Sequence, residues 1–291
     1  MEKIKKGDIV ARKSYKMDIF FKVHDIIEND NEENNKVVLK GISYRIEADA
    51  SFNDLVKQKE TAVRDYRHKT FLSAENTTRK YKARTNLYKK KPSYRGMRVS
   101  NEQWFKRPGS VLHIDGDEDY LETCLLKYKE LGIMAEGFFY DEKKQPENII
   151  RLLREYNPDI LVITGHDGFI KKDGNKSNID NYWNSKYFIK SAEYARRQEK
   201  ELDNLVIFAG ACQSMYKKIM QAGANFASSP ERVLIHALDP VFVSREIAYT
   251  PVSKIVNPQN VIEATITGEK GIGGVETRGK YRKGFPLDKY Q

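Results

Sequence analysis

Four stretches in the first 56 residues, Asp8–Lys13, Asp18–Ile27, Lys36–Lys40 and Ile42–Ala48, carry the period-two alternation of strands. Gly7, the polar run Glu28–Asn35 and Gly41 separate them. They predict a small β-barrel or sheet over residues 1–56. After Pro108-Gly109 the pattern changes to short apolar runs alternating with helix-period segments, which is the grammar of βαβ units. Strands are expected at Val111–Ile114, Ile133–Phe139, Ile160–Thr164, Leu205–Ala209 and Val233–Ala237. Between them, helices are expected at Glu118–Leu131, Pro146–Tyr156, near Tyr182–Gln198, and at Gln213–Gln221, closed by Gly223. The first of these carries one apolar stripe, Tyr120, Leu121, Cys124, Leu125 and Tyr128. Ile160–Thr164 is continuously apolar, as a strand buried on both faces is. From about Val252 the periodicity weakens, and the Gly271–Gly274 cluster reads as a loop or mobile tail.

The expected architecture is therefore α/β: a parallel-sheet domain over residues 108–251, a connector over 57–107 and a C-terminal extension over 252–291. The opening Lys6-Gly7-Asp8-Ile9-Val10 resembles the first strand of SH3-like barrels, a fold that fixes no role by itself and is expected to serve docking. The longest apolar runs are a handful of residues, far short of the ~18–20 needed to span a bilayer. The start has positive charge but no apolar core of a secretory leader, so the expected compartment is the cytoplasm. Two cysteines 88 residues apart make no disulfide framework and are read as free thiols.

The net charge of +10 is concentrated in one segment. From Lys57 to Arg107 there are 16 Lys and Arg against four acids, so this connector carries +12 and the rest of the chain is nearly neutral. Interspersed tyrosines could support phosphate contacts. A nucleic acid is nevertheless the less favoured partner, because a solvated, partly helical linker has the same composition.

Chemistry in an open parallel sheet gathers where strands end at their carboxyl termini. The third strand ends in Thr164-Gly165-His166-Asp167-Gly168 and the fourth in Gly210-Ala211-Cys212-Gln213-Ser214. A histidine and a cysteine are thus expected on one rim, 46 residues and one crossover helix apart. This supplies what covalent acyl transfer needs: Cys212 as nucleophile at or just before a helix start, and His166 as general base and acid. Backbone N–H groups near Gln213, with Gly165 and Gly168 keeping the facing loop bare, are expected to support the oxyanion. Asp115 and Asp117 at the end of the first strand are a possible pocket for a substrate Arg or Lys, or caps of the next helix. His236, with Asp239 nearby, is the rival base. His113 and Cys124 are read as packing residues, no zinc-type spacing occurs, and neither a metal nor a cofactor is expected.

The order His then Cys, about fifty residues apart, with an Ala-Cys pair closing an apolar strand, resembles the caspase, gingipain and clostripain type of cysteine protease over residues 110–240. His166-Asp167-Gly168 departs from the plain His-Gly pair of that group. Longer words, namely Gly7–Tyr15, Val111–Glu118, Asp159–Asp167, Val206–Ser214, Ala222–Pro230 and Ile235–Pro240, resemble the YabG family of sporulation-specific proteases. That resemblance implies a caspase-like cysteine endopeptidase with Cys212 and His166 as its dyad. It would process spore-coat or spore-assembly proteins on the mother-cell side of a sporulating bacterium, in association with the spore coat. Cleavage after Arg or Lys would make the basic connector a candidate for self-cleavage. The competing expectation is a nucleic-acid or spore-assembly binding module built on that connector.

Overall fold

The alternating N-terminal segment folds into five antiparallel strands rather than four. In the computed structural model, which describes residues 4–27, 35–89, 104–170 and 174–285, β1 (Ile9–Arg12), β2 (Phe20–Ile27), β3 (Lys36–Gly41), β4 (Glu47–Ser51) and β5 (Leu55–Lys57) lie in the order β4-β3-β2-β1-β5. The strand expected over Ile42–Ala48 needs correcting. Residues 42–46 form the tip of the β3–β4 hairpin, closed by a Gly41 N–H to Ile46 carbonyl bond of 2.9 Å. The tip has strand-like alternation, but its partner is the second half of the chain: Arg45 N–H donates to Ile235 O at 3.0 Å, and Ala237 N–H to Ser43 O at 3.2 Å.

The connector begins with a long helix, α1 (Glu60–Lys89), whose Ala74 is buried against the core. The β6 strand (Phe105–Arg107) then leads into the α/β layers. These comprise β7 (Val111–Asp115), α2 (Glu118–Glu130), β8 (Ala135–Phe139), α3 (Gln145–Tyr156), β9 (Ile160–Thr164), α4 (Ser185–Gln198), β10 (Val206–Ala209), α5 (Tyr216–Gln221), β11 (Phe226–Ser228) and α6 (Asp239–Tyr249). The C-terminal part adds β12 (Ile255–Val256), α7 (Pro258–Glu263), β13 (Ile272–Gly274), β14 (Thr277–Arg278) and β15 (Arg282–Gly284). Among the described residues no helix is long and apolar enough to cross a membrane.

The main sheet runs β13-β11-β10-β9-β7-β8, all parallel except β13. Counted from β7, the parallel strands stand in the order 2-1-3-4-5 of a doubly wound sheet, with the switch point between β7 and β9. Alternate strand residues serve opposite faces. Val111, Ile160, Val162, Val206 and Phe208 join Cys124 and Tyr128 of α2 and Val241, Phe242 and Val243 of α6. Leu112, Ile114, Leu161, Ile163 and Ile207 pack against Leu152 and Leu153 of α3 and Phe188 of α4. Each such side chain contributes about 1.5–3 kcal/mol by leaving water, so the period-two exchange of faces fixes the register. The first cluster continues without a break into Val10, Val23, Leu39 and Leu55 of the N-terminal sheet.

Two further expectations are revised. The fifth parallel strand is Phe226–Ser228, whereas Val233–Ala237 is an extended loop whose backbone receives the hairpin tip. The Gly271–Gly274 cluster is no tail. Ile272–Gly274 pairs antiparallel with β11 on the sheet edge, where bare glycines fit under Phe226 and Tyr216.

Candidate active site

β7, β9 and β10 end in register, with Asp115 opposite Thr164 and Ala209 opposite Ile163, so their following loops meet on one rim. Past β10 the chain makes a tight turn through Gly210 (φ +110°) and Gln213 (φ +57°), with Cys212 between them. The left-handed Gln213 is a conformation a non-glycine residue adopts only when its surroundings hold it. The hold is visible: its side-chain Oε1 accepts from Phe169 N–H at 3.0 Å, tying the cysteine loop to the histidine loop. The expected helix N-terminus at Cys212 is not there, because α5 starts only at Tyr216.

Cys212 is fully buried. Its Sγ accepts from Ile235 N–H at 3.0 Å, and its own N–H donates to the Arg45 carbonyl at 3.0 Å. Burial pushes the thiol far above its ordinary pKa, against a smaller lowering by the Ile235 bond and the Arg45 charge. The Asp167 N–H reaches the same Arg45 carbonyl at 3.2 Å. The two backbone donors that converge on one oxygen are those of Cys212, next to Gln213, and of Asp167 on the facing loop. Gly168 clears space, since a Cβ there would stand 2.1 Å from Glu47 O, and Gly165 leaves room for the Glu142 carboxyl.

His166 is buried, with its ring stacked on Tyr120 at 5.2 Å between centroids. Its Nε2 lies 3.4 Å from Gly41 O and its Nδ1 3.8 Å from Asp117 Oδ2. Burial, with the Lys40 and Arg45 charges, keeps the ring neutral. No hydrogen bond joins the Cys212 thiol to this ring. The two residues share a rim, and the β3–β4 hairpin reaches both, its Gly41 carbonyl at the His166 ring and its Arg45 carbonyl at the Cys212 N–H. Asp167 does not orient His166: its Oδ1 accepts from Gly168 and Asn184 N–H, and its Oδ2 from the Ser185 and Ser214 hydroxyls. It is a post that fastens the histidine loop to α4 and the cysteine turn, its pKa raised to about 6 by burial.

The acidic residues divide their roles. Asp117 caps α2, accepting from Tyr120 N–H at 3.0 Å. Asp115 is fully buried and holds the Arg45 guanidinium at 2.8 Å. Burial alone would raise the Asp115 carboxyl, but the guanidinium and the bond from His113 outweigh it and hold it well below the usual range. Arg45 Nη2 donates to Ala237 O at 3.0 Å and approaches Cys124 Sγ at 3.6 Å, and the guanidinium lies over the Tyr120 ring. Cys124 and His113 are thus walls of an arginine pocket as well as packing residues. His113, Asp115 and Cys124 are close enough to consider as metal ligands, but the guanidinium charge stands against them. His236, the rival base, has its Nδ1 engaged by Leu238 N–H and its ring edge-on to Tyr44. Burial and the Arg45 charge lower its pKa to about 4.

Over residues 5–286 the chain matches the family model described as YabG peptidase U57. The chain belongs to the YabG peptidase family. It is 44% identical, over 285 residues, to the sporulation-specific protease YabG of Bacillus subtilis strain 168, an alignment covering 96% of this chain and 97% of that protein. No solved structure matches the chain. This YabG-family chain is accordingly a peptidase associated with sporulation, on a mixed α/β fold with a largely parallel sheet.

Three residues of this rim escape a reading by motif. Arg45 sits in an apolar run that mimics a strand, and its partner Asp115 is 70 positions away; the one signal is a charge flanked by Tyr44 and Ile46. Tyr120 reads as a stripe residue yet donates its hydroxyl to Gly41 O at 2.6 Å. Glu142 sits before α3 with no motif around it, and accepts from His166 N–H at 2.7 Å. Burial raises the Glu142 carboxyl to about 8 despite Lys40 nearby. Below its ordinary value of 4.5 both folded and unfolded states are protonated; as pH rises toward 8 only the unfolded chain ionises, so stability falls across that window. Melting temperature should decline over it in the wild type and decline less in Glu142→Gln, which keeps the acceptor without the charge. Parallel curves would refute this.

Proposed function

We propose that the protein is a cysteine endopeptidase that cuts sporulation proteins, among them spore-coat or spore-assembly proteins, after arginine. Arg45 carries the reading. Its carbonyl oxygen takes the N–H groups of Cys212 and Asp167 while its side chain ends on buried Asp115, the geometry required of a substrate arginine with its carbonyl in an oxyanion hole. In this reading Cys212 Sγ attacks the scissile carbonyl and the thiol proton passes to neutral His166. The two backbone donors stabilise the tetrahedral oxyanion, and the imidazolium protonates the leaving amine as the C–N bond breaks. Water, deprotonated by His166, then hydrolyses the thioester and frees Cys212. A guanidinium can bond Asp115 and the Ala237 carbonyl together, which an ammonium does less well, so arginine should exceed lysine. The enzyme would work in the mother-cell cytoplasm of a sporulating bacterium.

Peptides differing only in the residue before the cleaved bond test this. Arginine should be turned over at least about tenfold faster than lysine, and other residues barely at all; equal rates would exclude the pocket. The same incubation, followed by intact mass, reads self-cleavage of the 57–107 connector. α1 has to unwind to enter a cleft that takes extended chain, and Lys90 to Arg98 lie outside the described residues.

A further inference from the structure

A substrate cleft that is vacant leaves its backbone donors and acceptors facing water. Here they are taken by residues 43–47 of the same chain. On one side Ser43 O and Arg45 N–H pair antiparallel with Ala237 N–H and Ile235 O, as a bound peptide would ahead of the cut. On the other, Glu47 N–H donates to Asp167 O at 2.9 Å. Arg45 fills the pocket ending in Asp115, Tyr44 lies against His236, and Gly41 O stands at the His166 ring. The peptide after Arg45 is not extended as a productive substrate is: Ile46 N–H bonds back to Tyr44 O at 2.8 Å, a three-residue turn centred on Arg45, and Gly41 N–H closes on Ile46 O. Both ends of this turn are strands of the N-terminal sheet.

We propose that the β3–β4 hairpin tip is a built-in occupant of the peptidase cleft, Arg45 in its primary pocket and Tyr44 against His236, and that the folded enzyme is latent until a substrate strand displaces it. The proposal rests on the arginine-specific reading above and adds regulation to it. It also turns His236 from a rival base into the wall of the neighbouring subsite. The occupant is local and tethered, so a competing substrate meets it at high effective concentration.

The test uses the full chain and two probes that need no turnover. Iodoacetamide reports access to Cys212, with peptide mapping to separate it from Cys124, and benzamidine reports an empty guanidinium pocket through melting temperature. In Arg45→Ala, Cys212 should be alkylated and benzamidine bound at least about tenfold better than in the wild type, because the open state is no longer a minor population. A folded Arg45→Ala that matches the wild type in both would overturn the proposal and leave Arg45 as an adhesive between two sheets. Should Arg45→Ala not fold, Arg45→Lys is read the same way, its weaker hold giving an intermediate gain if the tip is an occupant and none if it is not. Hydrolysis of an arginyl amide, lost in Cys212→Ala, is scored separately. An opened pocket without hydrolysis would sink the enzymatic reading and spare the occupant.

Discussion

Cys212→Ala should abolish peptide hydrolysis, with kcat falling at least about 10⁴-fold, because in the proposed mechanism the acyl group is carried on its sulfur. His166→Ala should fall by a comparable factor, since groups acting as one unit are not additive. His236→Ala is the informative control. Its ring nitrogen already accepts from Leu238 N–H, and its place is beside Tyr44 rather than at the reacting carbonyl. It should keep kcat within about tenfold and act mainly on KM. Rates from single-turnover assays on arginyl peptides, with circular dichroism to verify folding, decide the matter. A His236→Ala loss equal to that of His166→Ala would mean the base has been assigned to the wrong loop.

Asp115→Asn should have the second largest effect, on stability and on specificity together. It leaves a fully buried guanidinium without its counter-charge, which costs about 3–5 kcal/mol. Also replacing Arg45 with leucine should recover part of that loss, since the buried charge left unpaired in the single variant is then gone. Against arginyl peptides the single variant should lose about 30-fold or more in kcat/KM, the range for removing one partner of a desolvated charge pair. Denaturant melts of the four members of the cycle, with kinetics on the folded ones, separate the two effects. Unchanged discrimination between arginyl and alanyl peptides in a folded Asp115→Asn would show that the pocket is elsewhere.

The sequence is most legible where local pattern and tertiary context agree. Ile160–Thr164 reads as a buried strand and is one, and the 118–130 helix announces itself by Asp117 at its cap, acids in its first turn and lysines in its last. Legibility fails where an apolar run of strand length has a partner outside any sheet. Val233–Ala237 and Ile42–Ala48 both read as strands because both are apolar runs of strand length, but residues 43–45 and 235–237 pair with each other instead. The shared rim of His166 and Cys212 follows from strand ends alone. The donors that reach the Arg45 carbonyl do not, because a backbone N–H has no signature in residue type. Asp115 is visible as a strand-end acid, but the arginine that fills its pocket comes from a separate sheet, and long-range pairing of this kind leaves no local trace.

β3 and β4 belong to the amino-terminal sheet, so the peptidase layers do not own the contents of their own groove. A chain shortened to start near residue 108 would expose the backbone of 235–237 to solvent and strip Asp115 of its counter-ion. It would be a different enzyme at its mouth even if every β-strand behind it were unchanged. The two halves are therefore bound to be inherited together: drift in the loop that follows β3 alters what the sulfur meets, and drift in the pocket alters how firmly the small sheet is seated.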